Sequence, residues 1–304
     1  MDYVLKTNDL CKDYKNFKAL SNLTMNVPKN SIYGFVGKNG AGKTTLIRVI
    51  CGLQLPTGGD YELYGTKNTD KKISKERRRM GAVVESPALY LDMTAEDNLK
   101  QQYRTLGIPG FDGIEELLKL VGLEGTGKKK AKDFSLGMRQ RLGIAVALCG
   151  NPDFLVLDEP INGLDPQGIV DIRELILKLN REKKITVLIS SHILDELSKL
   201  ATHYGFIDKG RIVKEISAKE LERAFRKCMR VKVNNTVALS RVLDKMNVEY
   251  TIIDAEHADV YAKINITKLS LALADEGCEV LEIEEKDESL ESYYLSMVGG
   301  EDNE

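Results

Sequence analysis

One glycine-rich stretch, Gly37-Lys38-Asn39-Gly40-Ala41-Gly42-Lys43-Thr44, followed by Thr45, constrains this chain more than any other. It fits G-x-x-x-x-G-K-[ST], a spacing in which glycines let backbone N–H groups wrap phosphate oxygens, the lysine reaches the β- and γ-phosphates, and the hydroxyl reaches Mg²⁺. The flanks suit that role. Ser31 to Val36 reads as a short buried strand, and from Lys43 onward apolar residues recur at Leu46, Ile47, Val49 and Ile50, the spacing of a helix. A phosphate held there meets a helix N-terminus. Far downstream the apolar run Phe154-Leu155-Val156-Leu157 ends in Asp158-Glu159, with Pro160 next. A phosphate loop together with a strand ending in two carboxylates describes a nucleotide hydrolase. A plain turn needs no Gly-Lys-Thr at a helix start, and a capping or solvated acid pair needs no four-residue apolar strand before it.

At 304 residues and 42% hydrophobic content, the chain has room for a sizeable core and a smaller second domain. No segment approaches the roughly 18 consecutive apolar residues of a membrane span. The start, Met1-Asp2-Tyr3-Val4-Leu5-Lys6, lacks the basic-then-apolar layout of a signal peptide, so a cytoplasmic location is expected. The cysteines, Cys11, Cys51, Cys149, Cys228 and Cys278, are scattered without C-x-x-C spacing, which argues against a disulfide framework or a zinc site. They read as small buried apolar residues. A net charge of −2 gives no global reason to expect nucleic acid. The runs Arg77-Arg78-Arg79 and Lys128-Lys129-Lys130 read as a solvated face or loop.

The pattern along the chain predicts an α/β fold. Tyr3 to Leu10 and the alternating Asn22 to Val27 form an antiparallel pair, and Asp60 to Tyr64 and Met80 to Val84 are further strands. A helical stretch from Ala95 to about Leu120 is broken near Gly107-Ile108-Pro109-Gly110. Ser135 is placed to cap a helix carrying Leu142, Ala145, Val146 and Cys149 on one face. Strand 154–157, helix 169–179, strand 186–190 and helix 193–200 alternate as in a parallel sheet, and a strand pair, 204–207 and 211–213, turns at Lys209-Gly210. Beyond Glu222 the texture changes to strand 230–233, helix 237–246, strands 249–253 and 259–264, helix 268–276 and strand 279–283. That βαββαβ order is the ferredoxin-like motif, so residues 226–304 are expected to form a separate α+β domain after a nucleotide-binding domain over 1–225. A last helix is expected over Ser289–Met297, before the acidic end Glu301-Asp302-Asn303-Glu304.

Four further features keep a fixed order around the phosphate loop. Phe134-Ser135-Leu136-Gly137-Met138 precedes Arg139-Gln140-Arg141; Gly163-Leu164-Asp165 follows the acid pair; Ser191-His192 ends a strand; and Tyr14 precedes the loop. With these, residues 3 to 220 resemble the ATP-binding subunit of an ABC transporter, a P-loop fold with a mixed sheet and a helical subdomain. In the resemblance, Ser135 and Gly137 belong to the signature loop, Asp165 to the D-loop, His192 is the switch histidine and Tyr14 stacks on adenine.

The resemblance implies a division of roles. Lys43 supplies a cation to the transferred phosphoryl group, and Thr44 and Asp158 hold Mg²⁺, Asp158 through water. Glu159 orients or deprotonates the attacking water, and His192 senses the γ-phosphate. The signature serine and helix N-terminus bind the γ-phosphate held by the other subunit, so ATP joins a homodimer that drives a separate integral-membrane permease from the cytoplasmic face. The segment Ser86 to Thr94 is expected to receive the permease, through Leu89, Tyr90, Leu91 and Met93.

Two departures from the family pattern stand out. Leu136 and Met138 replace the signature's first glycine and its glutamine, and Glu85 stands where most relatives carry the Q-loop glutamine. A carboxylate there can join Mg²⁺ coordination but cannot donate a hydrogen bond as an amide can. Both features are similar to the branch that exports bacitracin and lantibiotic-like peptides. The alternatives are a soluble ABC protein acting on ribosomes or DNA, or a regulator that binds nucleotide without hydrolysis. One cassette, no sustained heptads, and intact Glu159 and His192 weigh against them.

Overall fold

In the computed structural model, which describes residues 2–224, 228–262, 264–286, 290, 293, 294 and 297, the chain divides between Ala218 and Lys219 into two units. In the first, β1 (Tyr3–Tyr14) and β2 (Phe17–Pro28) pair antiparallel. β3 (Ile32–Val36) follows, buried at all five positions, as a strand covered on both faces must be. The phosphate loop leads from it into α1 (Lys43–Ile50), which buries Leu46, Ile47, Val49 and Ile50. β4 (Gly58–Leu63) and β5 (Thr66–Lys67) complete an antiparallel sheet of order β2-β1-β4-β5.

After α2 (Ile73–Arg77) and β6 (Met80–Val83) come α3 (Ala95–Leu106) and α4 (Ile114–Leu120), separated at the expected break, where Gly107 closes α3 at φ 70°. α5 (Leu136–Leu148) leads to β7 (Phe154–Asp158), α6 (Pro166–Lys183), β8 (Thr186–Ser191), α7 (Leu194–Ser198), β9 (His203–Asp208) and β10 (Arg211–Ser217), and α8 (Ala218–Ala224) begins at the boundary with the second unit. The second sheet has the order β10-β9-β3-β8-β7-β6 and is parallel except for β10, which runs antiparallel to β9. It is mixed, as the resemblance implies, and its parallel strands are those the βα alternation predicts. β8 lies between β3 and β7 in parallel register, with Ser190 opposite both Phe35 and Asp158. The phosphate loop, the acid pair and His192 therefore all leave the sheet at one carboxyl edge, where ligands of open α/β sheets bind.

The second unit contains β11 (Cys228–Val233), α9 (Thr236–Lys245), β12 (Tyr250–Ile252), β13 (His257–Val260), α10 (Ile266–Asp275) and β14 (Val280–Lys286). Its sheet order is β12-β13-β11-β14, over a core that includes Val231, Leu239, Leu243, Val260 and Leu273. The strand expected over 259–264 is instead β13, which ends at Val260, and Asn265 caps α10 by accepting from the Lys268 N–H. The helix expected over Ser289–Met297 and the acidic end lie largely outside the described residues.

Two expectations about side chains need correction. Cys149 and Cys278 are buried, whereas Cys11, Cys51 and Cys228 are only partly buried, Cys51 closing α1 and Cys228 opening β11. The run at Arg77 is not simply solvated: Arg77 donates to the Tyr61 hydroxyl, and Arg79 pairs with Glu76 and Asp153.

Candidate functional site

Gly42 lies at φ 112°, and a β-carbon there would sit 2.6 Å from the Ala19 carbonyl oxygen, so a residue other than glycine strains the backbone and collides with it. α1 begins directly after it with no side-chain cap and no acid in its first turn. Its first N–H groups are thus left for an anionic ligand, where other helices here use Thr94, Ser135 or Asp165. A cavity of about 240 Å³ opens at this turn, lined by Asn39, Gly40, Thr44, Thr45, Glu159 and Phe17 among others.

Lys43 is 6% exposed and folds back along the loop, donating to the carbonyls of Gly37 at 2.5 Å and Lys38 at 3.2 Å. Its Nζ also stands 3.2 Å from Glu159 Oε1. The other Glu159 oxygen, Oε2, is 2.8 Å from His192 Nδ1. Glu159 takes φ 48°, and its N–H donates to Ser190 Oγ at 2.9 Å and the Ser190 carbonyl at 3.2 Å. Ser190 Oγ in turn donates to Asp158 Oδ1 at 2.6 Å. Asp158 is 1% exposed, and its Oδ2 is buried without a hydrogen-bond partner. Asp158 also adds to the field around Cys51, whose thiol burial pushes up to about 12, with Arg77 working in the opposite direction. That thiol carries no thiolate chemistry near neutral pH.

The fold therefore gathers Lys43, Asp158, Glu159 and His192 from three separate parts of the chain. It treats other expected site residues differently. Glu85, at φ 61° and with its side chain 56% exposed, is paired with Arg48 of α1. Ser135 caps α5 by accepting from the Met138 N–H at 3.2 Å, and Asp165 caps α6 by accepting from the Gly168 N–H at 3.2 Å. Gly137 lies beside Leu164, whose Cδ2 is 3.9 Å from where a β-carbon would stand. Ser135, Gly137 and Asp165 do not line the cavity at Lys43. Tyr14 donates its hydroxyl to Gln54, and the Lys12 ammonium lies 5.2 Å from its ring centre.

Phe17, its partner across the β1–β2 turn, is 60% exposed and lines both the cavity at Lys43 and an adjoining one of about 280 Å³. Phe17 is not among the site residues expected above; its signal in the sequence is the aromatic on each side of the short turn Lys15-Asn16.

Comparison with known proteins identifies the family. The chain is 41% identical over 306 residues to the bacitracin transport ATP-binding protein BcrA of Bacillus licheniformis, covering 99% of both chains. This chain belongs to the ABC transporter ATP-binding proteins. The family model described as ABC transporter matches residues 20–162. A lantibiotic transport ATP-binding protein, SrtF of Streptococcus pyogenes, is 42% identical over 212 residues, 70% of this chain and 90% of its own. Among solved structures, a dimeric ATP-binding cassette in a post-hydrolysis state bound to ADP and Pi superposes with a TM-score of 0.63 at 26% identity, covering 70% of this chain and 98% of that one. Another cassette in its ADP conformation gives 0.67 at 27%, covering 74% and 95%. The chain is an ABC ATPase that binds ATP and hydrolyses it to drive a membrane transporter. Among its described residues no helix is long and apolar enough to cross a membrane.

Proposed function

We propose that this ABC ATPase works as a homodimer on the cytoplasmic face of the membrane, driving a separate permease that exports peptide antibiotics or similar amphiphiles. The observation that carries the cargo class is the end-to-end likeness to a bacitracin transport ATP-binding protein, which extends through both units of the chain.

In this reading Lys43 binds the β- and γ-phosphates, Glu159 orients or deprotonates the attacking water, and His192, bonded to Glu159 at 2.8 Å, holds that carboxylate and meets the γ-phosphate. The donor set suits Mg²⁺: the Thr44 hydroxyl stands in the first turn of α1, and the buried Asp158 Oδ2 is an oxygen without a partner. When bound, the ion would neutralise charge developing on the phosphate oxygens. Glu85 enters this set only on leaving Arg48.

Ser135 and Gly137 stand apart from their own chain's cavity, which supports a role toward the nucleotide of a second copy. Tyr90, Leu91 and Met93 are 54%, 47% and 37% exposed, which supports permease docking along 86–94. Residues 1–225 carry the chemistry, and 226–304 serve dimer support or regulation.

The test is a deletion strain carrying either the wild-type gene or a Glu159→Gln allele. Inhibitory concentrations of bacitracin and lantibiotics should fall on deletion and recover only with the wild type. Unchanged sensitivity to every peptide antibiotic in the deletion strain removes the cargo assignment.

A further inference from the structure

We infer that Ser190 is a positioning residue for ATP hydrolysis, one hydroxyl that sets both the metal-side and the water-side carboxylate. The inference rests on assigning Asp158 and Glu159 to the nucleotide site.

Ser190 is fully buried near the end of β8, opposite Asp158 in the parallel ladder. A serine hydroxyl has one proton to give and two lone pairs to offer. Here the proton goes to Asp158 Oδ1 at 2.6 Å, and a lone pair takes the Glu159 N–H at 2.9 Å. These two bonds do different things. The first commits one oxygen of a carboxylate that is 1% exposed, so Oδ2 is the oxygen left without a partner. Both oxygens would otherwise be equivalent, and a buried carboxylate with neither oxygen satisfied would turn to find a partner.

The second bond holds a strained backbone. Glu159 sits at φ 48°, a conformation a residue with a β-carbon adopts only where its surroundings over-determine it. Without the hydroxyl, its N–H keeps only the longer 3.2 Å bond to the Ser190 carbonyl. The direction of the Glu159 side chain, which reaches Lys43 at 3.2 Å and His192 at 2.8 Å, follows from that backbone. Ser190 thus aims two carboxylates that act on different parts of the reaction while itself fully buried and outside the lining of the cavity at Lys43.

The experiment compares Ser190→Ala and Ser190→Thr with the wild type, using purified full-length chain. Steady-state hydrolysis gives kcat and KM; binding of a fluorescent ATP analogue is measured in EDTA and across an Mg²⁺ titration; thermal melts check the fold. For Ser190→Ala, kcat should fall about 10-fold to 100-fold, the worth of one hydrogen bond to a charged group, while KM moves less than about threefold. Binding in EDTA should match the wild type, and the Mg²⁺ concentration for half-maximal gain in affinity should rise. Ser190→Thr keeps the hydroxyl and should recover most of kcat. Wild-type kcat and an unchanged Mg²⁺ titration in Ser190→Ala would overturn the inference. So would an equal loss of affinity with and without Mg²⁺, the mark of a merely structural role; this binding contrast needs no rescue by threonine. Glu159→Gln serves as the control: hydrolysis at the wild-type rate there overturns the underlying site assignment, whatever Ser190 does.

Discussion

Replacing Glu159 with glutamine preserves shape and removes one charge, so its consequences can be worked through the contacts. The carboxylate is 18% exposed, 3.2 Å from the Lys43 ammonium and 2.8 Å from His192 Nδ1. At an effective dielectric of about 20, the Lys43 pair has a gross attraction of about 5 kcal/mol, most of it offset by the desolvation of both groups. The net loss of stability should be about 1–2 kcal/mol, a fall in Tm of roughly 2–8 °C for a domain of this size. In the presence of ATP the sign reverses. Lys43 no longer has to leave a carboxylate to reach the phosphates, and one negative charge beside the γ-phosphate is gone, so ATP affinity should hold or rise. Turnover should fall by about 10² to 10⁴, the usual worth of a positioned base. Single-turnover phosphate release, fluorescent-nucleotide binding and size-exclusion chromatography with ATP read the three effects, the last expecting a persistent dimer. A Glu159→Gln protein that hydrolyses normally, or one that binds ATP more weakly than Lys43→Ala, would refute the reasoning.

Gly42→Ala combines backbone strain with overlap on the Ala19 carbonyl and should cost about 2–5 kcal/mol, whereas Gly40→Ala, at φ 83° with no neighbour within 4 Å, should cost about 1 kcal/mol; equal melting curves would contradict this loop geometry. Phe17→Ala should weaken ATP binding about 5-fold to 100-fold through loss of a stacking ring at the cavity, more than Tyr14→Ala, whose hydroxyl is held by Gln54; the reverse order assigns the stacking to Tyr14, as the resemblance implies. Mixing Ser135→Arg chains with Lys43→Ala chains should restore partial ATPase activity by rebuilding one composite site per heterodimer. A mixture as inactive as its components, with heterodimers present, would exclude action across the interface.

Much of the architecture was legible in the chain because local rules coincide with the fold. The apolar run 154–157, the helical recurrence after Lys43 and the serine before α5 each give the element the structure contains. Short-range signals are weaker where a long-range contact decides the outcome. Arg77 donates to a tyrosine sixteen residues away in sequence, and Arg79 pairs with Asp153, 74 residues away.

The sequence by itself determined the chemistry: a phosphate loop, a lysine, a hydroxyl, two adjacent acids and a histidine, in a spacing tied to strand ends and a helix start. It could not say which side chains share an atom. Only the parallel register of β3, β8 and β7 brings Ser190 beside Asp158, closes Glu159 between Lys43 and His192, and leaves Asp158 Oδ2 without a partner. Only the β1–β2 pairing sets Phe17 at the cavity while Tyr14 bonds to Gln54, and only packing on α1 gives Glu85 to Arg48. The reason is physical: periodicity and motif spacing report the local backbone, whereas hydrogen-bond partners of buried groups are chosen by strands as distant in sequence as β3 and β8, whose alignment no local signal encodes.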